Sequence, residues 1–329
     1  MTKRRTFIKS AGAAGVAGLL AGCSDDTESN GSSGTVTGDN QQTLTFALTP
    51  AESDVEIEDQ YQPLFNYMES EADVSIESTV AADYAAVLSA IDAGQADLAD
   101  ASPAIAIQGG NEDITQVVGI RVAYGASRYF SLMTTTPDSD IDSLSDLGGE
   151  TIGLGDRLST SGSLFPLYML SQAGFDTGGA PDGDPVDFEA RFSDHSTARE
   201  ELINRPDVVA AGTGAFSTAG HVPKEQFSDQ FLEMSAENDG DLGTESPELE
   251  LLAESDPIPR APILARADMD AELYGDIESS LLNVGEDELI DEGASDDQQL
   301  WFTGVDDGSV DDYQPVQDVL DELGVSLGQ

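Results

Sequence analysis

The sequence predicts an α/β fold of two lobes, and three observations lead to this prediction. Short stretches of alternating apolar and polar residues are followed along the chain by segments of helical periodicity, a pattern typical of largely parallel sheets joined by helices. This alternation occurs in two successive sets. Residues 43–329 are many for one hydrophobic core and suit two lobes.

The first set begins where Leu44, Phe46 and Leu48 alternate on a predicted strand. Asp83 is a good N-cap residue and precedes an apolar helical stripe, so a helix is predicted to start there. The predicted elements of this set are strands at 44–48, 74–77 and 96–99 and helices at 59–71 and from Asp83.

The second set has the same organisation, and its last helix is predicted to begin at Asp194. The acidic segment Glu237–Glu250 has low complexity and is predicted to be a surface loop. The predicted elements of this set are strands at 130–135, 151–154 and 188–192 and helices at 162–173 and from Asp194.

The N-terminus has the features of an export signal. Arg4 and Arg5 form a twin-arginine signal before an apolar run, residues 11–20, that is too short to cross a bilayer. The run ends in a sequence resembling a lipobox, in which Cys23 would be lipidated. We therefore expect a signal peptide at 1–23 and a soluble protein attached through lipid to the outer face of the cell membrane.

Residues 24–42 are predicted to form a flexible tether, because nearly all of them are polar or glycine. Cys23 is the only cysteine of the chain, which excludes an internal disulfide from the mature fold. Two histidines and one cysteine are also too few for a transition-metal cluster. Calcium at acidic loops would be nonspecific, and we expect no metal and no cofactor.

The chain has 13 basic and 64 acidic residues and a formal net charge of −51. Repulsion on this scale is screened at about 1 M salt, where the Debye length is ~3 Å, so we expect a protein adapted to molar salt. Nucleic-acid binding is excluded because no basic stripe is present. An anionic ligand would need a local pocket of backbone dipoles and a few cations.

The segment Gly155–Gly162 is the most specific internal motif. It leaves a predicted strand and enters a predicted helix with three consecutive hydroxyl residues, Ser159, Thr160 and Ser161. Hydroxyls and unpaired backbone N–H groups at a helix start are suited to bind an oxyanion. Ordinary N-capping is the alternative interpretation. A phosphate-binding P-loop is excluded, because its Gly-Lys ending is missing.

The surroundings of this motif resemble the phosphate, phosphite and phosphonate substrate-binding protein family of ABC importers. The strongest element is the Asp-x-x-Ser-Thr-Ser-Gly core followed by Pro166, with His195 further along the chain. The resemblance covers nearly the whole chain after the tether. Its matching stretches are Tyr61-Gln62-Pro63-Leu64, Asp83-Tyr84-Ala85-Ala86-Val87, Gly94–Asp97, Arg128–Ser131, Asp146–Gly149, Gly155–Pro166 and Asp194-His195.

The resemblance implies a periplasmic-binding-protein-like fold of type II, with two α/β lobes joined by two crossing segments near Phe130 and Pro259. Lobe 1 would comprise 43–130 plus 260–329, and lobe 2 would comprise 131–259. Ligand binding would close the cleft by a hinge motion. The implied partners are an ABC permease and its ATPase, and we expect a monomer without enzymatic activity.

The resemblance also implies a set of ligand contacts. Ser159, Thr160 and Ser161 would donate to the phosphoryl oxygens, and His195 would contact the same group and supply charge if protonated. Tyr84 would add a hydroxyl from lobe 1, and Tyr129 another from near the crossing. Taken singly, each tyrosine is as well explained by packing and the histidine by a structural role.

One departure from the family bears on the ligand. Members that bind aminoethylphosphonate hold its ammonium with two carboxylates, and the corresponding positions here are Gly214 and Ala261. We therefore expect a ligand without an amine: phosphite, phosphate or a small alkylphosphonate. Arg260 is adjacent and is an additional candidate contact, with solvent exposure as the alternative. Arg157 and Arg128 carry the same two interpretations.

Three other functions remain as alternatives. A serine hydrolase would use Ser161 or Ser159 with His195 as base, although the Gly-x-Ser-x-Gly elbow is absent. Another small oxyanion would suit the same loop, and a surface-structural role would explain the acidity. His221 and Trp301 have no function that the sequence assigns.

Overall fold

The computed structural model describes residues 41–238, 242, 247–290, 293–295 and 298–326. The expectations for the signal peptide, for Cys23 and for the tether up to residue 40 lie outside this part. The strands are β1 Gln42–Leu48, β2 Val74–Val80, β3 Leu98–Asp100, β4 Thr115–Val122, β5 Arg128–Tyr129, β6 Ser131–Thr135, β7 Thr151–Leu154, β8 Glu189–Phe192, β9 Ala210–Gly214, β10 Glu250–Glu254, β11 Ile258–Pro259, β12 Pro262–Arg266 and β13 Gly304–Asp306. The α-helices are α1 Ile57–Glu71, α2 Tyr84–Asp92, α3 Pro103–Asn111, α4 Phe165–Gln172, α5 His195–Asn204, α6 Ala215–Thr218, α7 Asp229–Met234, α8 Ala271–Asn283, α9 Glu286–Leu289 and α10 Gln314–Leu323.

The first sheet has the strand order β13-β4-β12-β3-β1-β2. It combines strands from the beginning of the described chain with β12 and β13 from its last part. Phe46, Tyr61, Phe65 and Phe302 pack on it as a group of neighbouring aromatic rings. The apolar alternation that predicted β1 is therefore the side of the strand that faces this core.

The second sheet has the order β10-β6-β9-β7-β8. Its two faces are covered by two separate apolar clusters, one around Phe130 and Phe231 and one around Leu154 and Leu167. Both faces are covered because helices and loops pack on each side, as in other α/β folds.

The prediction of largely parallel strands is wrong, because both sheets are mixed. β1 pairs in parallel with β2 and β3, and β7 pairs in parallel with β8 and β9. In contrast, β12 runs antiparallel to β3 and β4, and β6 runs antiparallel to β9 and β10. A parallel pair needs a long crossover between its two strands. In contrast, β6 follows β5 and β12 follows β11 after only one or two residues, and β5 and β11 are the strands that connect the two sheets.

The chain passes between the strands of the two sheets through β5 and β11. These two strands pair with each other, with Ile258 opposite Tyr129 and Pro259 opposite Arg128. The pairing continues at Arg260, whose N donates to Ser127 O at 3.2 Å. Two of the residues singled out from the sequence, Tyr129 and Arg260, are positioned by this small ribbon.

Two predicted helix starts are confirmed at the level of single hydrogen bonds. The Asp83 carboxylate accepts from Ala86 N at 2.7 Å, and the Asp194 carboxylate accepts from Thr197 N at 2.8 Å. β1 begins at Gln42, the last residue of the predicted tether.

The helix predicted from residue 162 begins earlier, with a π-helical turn at Thr160–Leu164 that continues into α4. The prediction that Glu237–Glu250 is only a surface loop is wrong where it includes Leu242 and Leu249, because both side chains are buried in the second sheet's core. Within the described residues, we find no helix with the length and apolarity required to cross a membrane.

Candidate ligand-binding site

A cavity of about 150 Å³ lies between the elements of the two sheets. It is reached by side chains from β5, from the loop before α4, from the start of α5 and from the start of α2. All six ligand-contact residues predicted from the sequence line it, together with the predicted additional contact. These lining residues are Tyr84, Tyr129, Ser159, Thr160, Ser161, His195 and Arg260.

The Gly155–Gly162 loop is held in a tight conformation by its own backbone and by two buried hydroxyls. Gly155 N donates to Gly162 O at 2.8 Å, which closes the loop on itself. Ser131 Oγ donates to Ser161 O at 2.6 Å, and Ser163 Oγ donates to Gly155 O at 2.9 Å. These bonds hold the loop in the conformation in which its hydroxyl residues line the cavity.

Gly162 is required by the closeness of three neighbours. A Cβ atom there would lie 2.7 Å from His195 Cε1, 2.9 Å from Gly155 Cα and 2.9 Å from Ser159 Oγ. The π-helical turn that contains Gly162 can therefore lie this close to His195 only with glycine at this position.

We expect Gly162→Ala to lower the free energy of unfolding by about 1–3 kcal/mol, because the added methyl group overpacks this junction. Gly275→Ala is the matched control, since a Cβ at Gly275 in α8 meets nothing within 4 Å. Thermal or denaturant unfolding of both variants is the measurement. Equal stability of the two variants would contradict the tight packing of the loop.

His195 is buried, with 1% of its surface exposed. Its Nδ1 accepts a hydrogen bond from Gly214 N at 2.9 Å, so the ring proton is on Nε2. Burial lowers the pKa of His195 from 6.5 to about 4. The condition under which His195 would supply positive charge, protonation of the ring, is therefore not met near neutral pH in this arrangement, and the ring acts as an uncharged donor.

Ser159 has both of its acceptor positions filled by the protein. Gly162 N donates to Ser159 Oγ at 3.0 Å. His195 Nε2, which carries the ring proton, lies 3.0 Å from the same oxygen and also donates to it. A hydroxyl that accepts two hydrogen bonds has only its own proton left to offer. Ser159 must therefore donate toward the cavity, where the Tyr84 hydroxyl is its partner.

The other hydroxyls of the loop are oriented in the same way. Thr160 Oγ1 accepts from Ala104 N at 3.1 Å, which leaves its proton free to be donated. The Tyr129 phenol forms hydrogen bonds with Ser161 and Thr160, and burial raises its pKa to about 12. Burial also raises the pKa of Tyr84. Both phenols therefore remain protonated at neutral pH and add donors.

The two walls of the cavity are hydrogen-bonded to each other on both sides. On one side, Ala104 N reaches Thr160, and Ser102 Oγ donates to Leu158 O at 3.0 Å. On the other side, His195 N donates to Ala51 O at 3.0 Å, and Arg199 forms an ion pair with Asp54 at 3.0 Å. The cavity is thus enclosed between elements of the two sheets.

Arg260 is buried rather than exposed, with 2% of its surface accessible. Burial lowers the pKa of its guanidinium, and the charge of Glu237 opposes this change. Nη2 of Arg260 lies 3.6 Å from Glu237 Oε1. Of the two interpretations left open by the sequence, the solvent-exposed one is excluded.

A buried network of an ion pair and hydrogen bonds surrounds Arg121, and it was not predicted from the sequence. Arg121 Nη1 lies 3.0 Å from Asp100 Oδ2, and Tyr61 Oη donates to the same oxygen at 2.9 Å. Asp100 Oδ1 accepts from Thr49 N at 2.6 Å. Asp100 and Arg121 both line the cavity. The lone arginine in the apolar run of β4 was the available sequence signal, since a charge there must have a buried partner.

Trp301, Phe216 and Glu52 also line the cavity and were not predicted to do so. Trp301 lies under two guanidinium groups, at 4.7 Å from that of Arg121 and 5.8 Å from that of Arg260. Burial raises the pKa of the Glu52 carboxyl, which a hydrogen bond with Ser217 partly offsets. These residues come from separate parts of the chain and carry no local motif.

Phe216 explains why position 214 has no side chain. A Cβ atom at Gly214 would lie 2.2 Å from Phe216 Cε1. The Phe216 ring also packs edge-on against His195, with centroids 4.9 Å apart. The space next to residue 214 is therefore filled by an apolar ring, in agreement with the absence of an acid there.

The remaining residues singled out from the sequence do not line the cavity. Arg157 donates to Pro181 O and stacks over Phe192, with its guanidinium carbon 4.1 Å from the ring centroid. His221 lies 3.5 Å from Glu248. Arg128 lies on β5 and is partly exposed. In the described part of the chain, no group of three or more His, Cys, Asp or Glu side chains is arranged to hold a metal ion.

Comparison with known proteins agrees with this geometry. Residues 46–313 match the family described as ABC transporter, phosphonate, periplasmic substrate-binding protein. The chain belongs to this family. It is 33% identical over 179 residues to the phosphate-import protein PhnD of Mycolicibacterium smegmatis, a match that covers 52% of this chain and 54% of that protein.

A second relative is the phosphonates-binding periplasmic protein of Escherichia coli, which is 30% identical over 135 residues. That match covers 40% of each protein, so the chain matches about half or less of the length of these two curated relatives.

Two solved structures show the same fold. The binding protein component of an ABC phosphonate transporter from Pseudomonas aeruginosa has a TM-score of 0.66 at 20% identity and covers 87% of each chain. PhnD1 from Prochlorococcus marinus in complex with methylphosphonate has a TM-score of 0.61 at 15% identity, over 86% of this chain and 98% of that one. The two-lobed type II fold that the resemblance implied is thereby confirmed.

Proposed function

We propose that this family member is the extracytoplasmic substrate-binding protein of an ABC importer and that it binds a small phosphorus oxyanion: a phosphonate, phosphite or phosphate. One observation carries the proposal. Six donor residues that are far apart in the sequence line one cavity. These residues are Tyr84, Tyr129, Ser159, Thr160, Ser161 and His195.

The direction of the hydrogen bonds supports an anion as the ligand. Ser159 accepts from Gly162 N and His195 Nε2, and Thr160 accepts from Ala104 N, so each hydroxyl has its own proton to donate within the cavity. Backbone N–H groups at the start of the helical segment add to the positive field there. A cavity that presents donors in a chain of net charge −51 is a local exception to the global field.

The absence of an acid beside residue 214 supports a ligand without an amine. Phe216 fills this space, and Ala261 offers no charge at the second position. An ammonium group would lose water there without gaining an ionic partner from either position. Phosphite, phosphate and small alkylphosphonates are the candidates that this leaves.

We further propose that residues 43–130 and 260–329 form one lobe and 131–259 the other, with the hinge at β5 and β11. The bonds from Ala104 to Thr160 and from Arg199 to Asp54 would then be those of the closed form. Closure on the ligand would be the state recognised by the permease and its ATPase. A monomer is sufficient for this mechanism.

The proposal includes export by the twin-arginine route and a lipid anchor on Cys23, for which the N-terminal sequence is the support. It also includes adaptation to molar salt, for which the charge of −51 is the support. Binding experiments should therefore be carried out at about 1 M KCl, where self-repulsion is screened.

The hydrogen-bond directions weigh against the alternative of a serine hydrolase. Ser159 and His195 are in contact, but Nε2 carries the proton, because Nδ1 accepts from Gly214. A general base must accept the proton of the serine, and this tautomer cannot do so. The low pKa of His195, about 4, also makes it a weak base.

We expect Thr160→Ala to weaken binding of the phosphorus anion by about 1–3 kcal/mol, because one hydrogen bond to a charged group is lost. Thr160→Ser keeps the hydroxyl and serves as the matched control, with affinity close to that of the wild type. Isothermal titration calorimetry in molar KCl is the measurement. If the alanine and serine variants bind equally well, Thr160 is not a ligand contact.

A thermal-shift panel tests the ligand class. Phosphite, phosphate and methylphosphonate are compared with aminoethylphosphonate and sulfate. We expect stabilisation by at least one amine-free phosphorus anion, since a ligand that binds only the native state raises the melting temperature. Preferential stabilisation by aminoethylphosphonate would refute the interpretation of Gly214 and Ala261, and stabilisation by sulfate alone would refute the assignment to phosphorus.

A further inference from the structure

Arg260 is a buried cation in the wall of the cavity, and part of its hydrogen-bonding capacity is not used. The side chain is 2% exposed, and neither Nε nor Nη2 has a hydrogen-bond partner among the described residues. A buried charged donor without an acceptor is unfavourable, because the water it gave up has not been replaced. A ligand acceptor at this point would therefore gain more than one at the protein surface.

Arg121 also lines the cavity, and in contrast to Arg260 all three of its guanidinium nitrogens form hydrogen bonds within the protein. Nε of Arg121 donates to Ala261 O at 3.1 Å, Nη2 donates to Ala101 O at 3.2 Å, and Nη1 pairs with Asp100. Arg121 thus supports the wall of the cavity and has its charge neutralised. Arg260 differs because its donors are not engaged in this way.

Glu237 is the nearest counter-charge that the described chain provides to Arg260. The distance of 3.6 Å between Nη2 and Oε1 is too long for a hydrogen bond, although it allows Coulomb attraction. Ser235 Oγ donates to the other oxygen of Glu237. Glu237 therefore weakens, without cancelling, the attraction of Arg260 for a second anion.

The size of the cavity leaves space for more than a phosphoryl group. A cavity of about 150 Å³ matches an engineered one that takes up benzene, which is larger than a phosphoryl group alone. The wall near Gly214 is closed by the Phe216 ring. Arg260 and Trp301 also line the cavity, and the Arg260 guanidinium adds a positive charge to its wall.

We propose that Arg260 forms a second anion subsite and that the preferred ligand is a phosphonate carrying a carboxylate on a short carbon linker. The inference rests on the proposed function, because it places the phosphonate end at Ser159–Ser161. Tyr129 connects the two subsites: its hydroxyl bonds to Thr160 and Ser161, and the charge of Arg260 acts on it. A single small molecule can therefore contact both ends.

The test compares isosteric ligands by calorimetry in molar KCl at neutral pH. Phosphonoacetate carries the carboxylate, and isobutylphosphonate has the same shape without the charge. Methylphosphonate reports on the phosphoryl site alone, and aminoethylphosphonate tests whether Glu52 pairs with an ammonium instead. We expect phosphonoacetate to bind the wild type about 10-fold more tightly than isobutylphosphonate, as a charge-assisted hydrogen bond predicts.

Two variants assign this difference to the subsite. Arg260→Gln should abolish the difference between phosphonoacetate and isobutylphosphonate, and it should weaken the binding of phosphonoacetate more than that of methylphosphonate. Glu237→Gln should tighten phosphonoacetate binding and leave isobutylphosphonate binding unchanged, because it removes the competing charge. Since Glu237→Gln leaves Arg260 in place, it remains informative if Arg260→Gln does not fold.

Four outcomes would overturn the subsite: equal binding of the two isosteric ligands, a difference that persists in Arg260→Gln, an equal loss for all ligands in that variant, or a preference for aminoethylphosphonate. The third outcome would place Arg260 at the phosphoryl group itself. Failure of the proposed function would give a different result in the same experiment. None of the phosphonates, including methylphosphonate, would then bind the wild type.

Discussion

Replacing Asp100 by alanine is expected to lower the free energy of unfolding by about 3–5 kcal/mol, the range found when one partner of a buried ion pair is removed. Without Asp100, the Arg121 guanidinium stays buried without its counter-charge, and the Tyr61 hydroxyl and Thr49 N lose their acceptor. An unpaired buried charge is costly because the lost hydration is not replaced.

The control for this variant is Asp207→Ala. Asp207 pairs with Arg191 and Arg205, but its side chain is half exposed, so its loss should cost about 1 kcal/mol or less. Denaturant unfolding at molar salt measures both variants. A loss for Asp100→Ala no larger than that of the control would show that the network around Arg121 does not stabilise the fold.

Acidification is expected to destabilise the protein through His195. The pKa of this residue is about 4 in the folded state against 6.5 as the ordinary value, because burial disfavours the charged ring. Between these values the unfolded chain binds a proton that the folded chain does not. The contribution is therefore complete above pH 6.5 and decreases as the pH falls toward about 4, by about 3 kcal/mol at 1.36 kcal/mol per pKa unit.

Nuclear magnetic resonance measures this pKa directly. The chain has two histidines, so the imidazole signals can be assigned with a single variant, His221→Gln. We expect the His195 signals to keep their chemical shifts from about pH 8 to about pH 5 in the folded protein. A titration midpoint near 6.5 would contradict the neutral ring and would restore the expectation that His195 supplies charge.

The fold could be predicted from the sequence where local patterns decide it. The strand at Thr151–Leu154 was predicted with its exact bounds, and so were the N-cap Asp83 and the helix start at Asp194. Both helix starts depend on local contacts, because a capping carboxylate acts on the next few residues. The direction of β12 was not predictable, because it depends on where the chain re-enters the first sheet after β11. Strand orientation is a long-range property that periodicity does not carry.

The candidate site also combines features that the sequence predicted with features that depend on the folded structure. Ser159, Thr160 and Ser161 stand in one motif, and resemblance to a family added Tyr84, Tyr129 and His195, all of which line the cavity. The protonation state of His195 was not predictable, because it depends on Gly214 N, which folding brings to Nδ1 from the end of β9.

The contacts among Arg121, Asp100 and Trp301 were not predictable from the sequence. Arg121, Asp100 and Trp301 lie in different elements, and no spacing between them indicates that they meet. Their contacts arise because β12 inserts between β3 and β4 and brings Ala261 next to Arg121. The burial of Arg260 follows from the same insertion, because this residue links β11 to β12.

The most direct test of the central claim is a crystal structure of the protein with methylphosphonate at saturating concentration. The account predicts phosphonate oxygens about 2.5–3.0 Å from the hydroxyl oxygens of Ser159, Thr160 and Ser161, the distance of a strong O–H···O bond. A methylphosphonate bound elsewhere, or a cavity in which these hydroxyls do not contact it, would contradict the account.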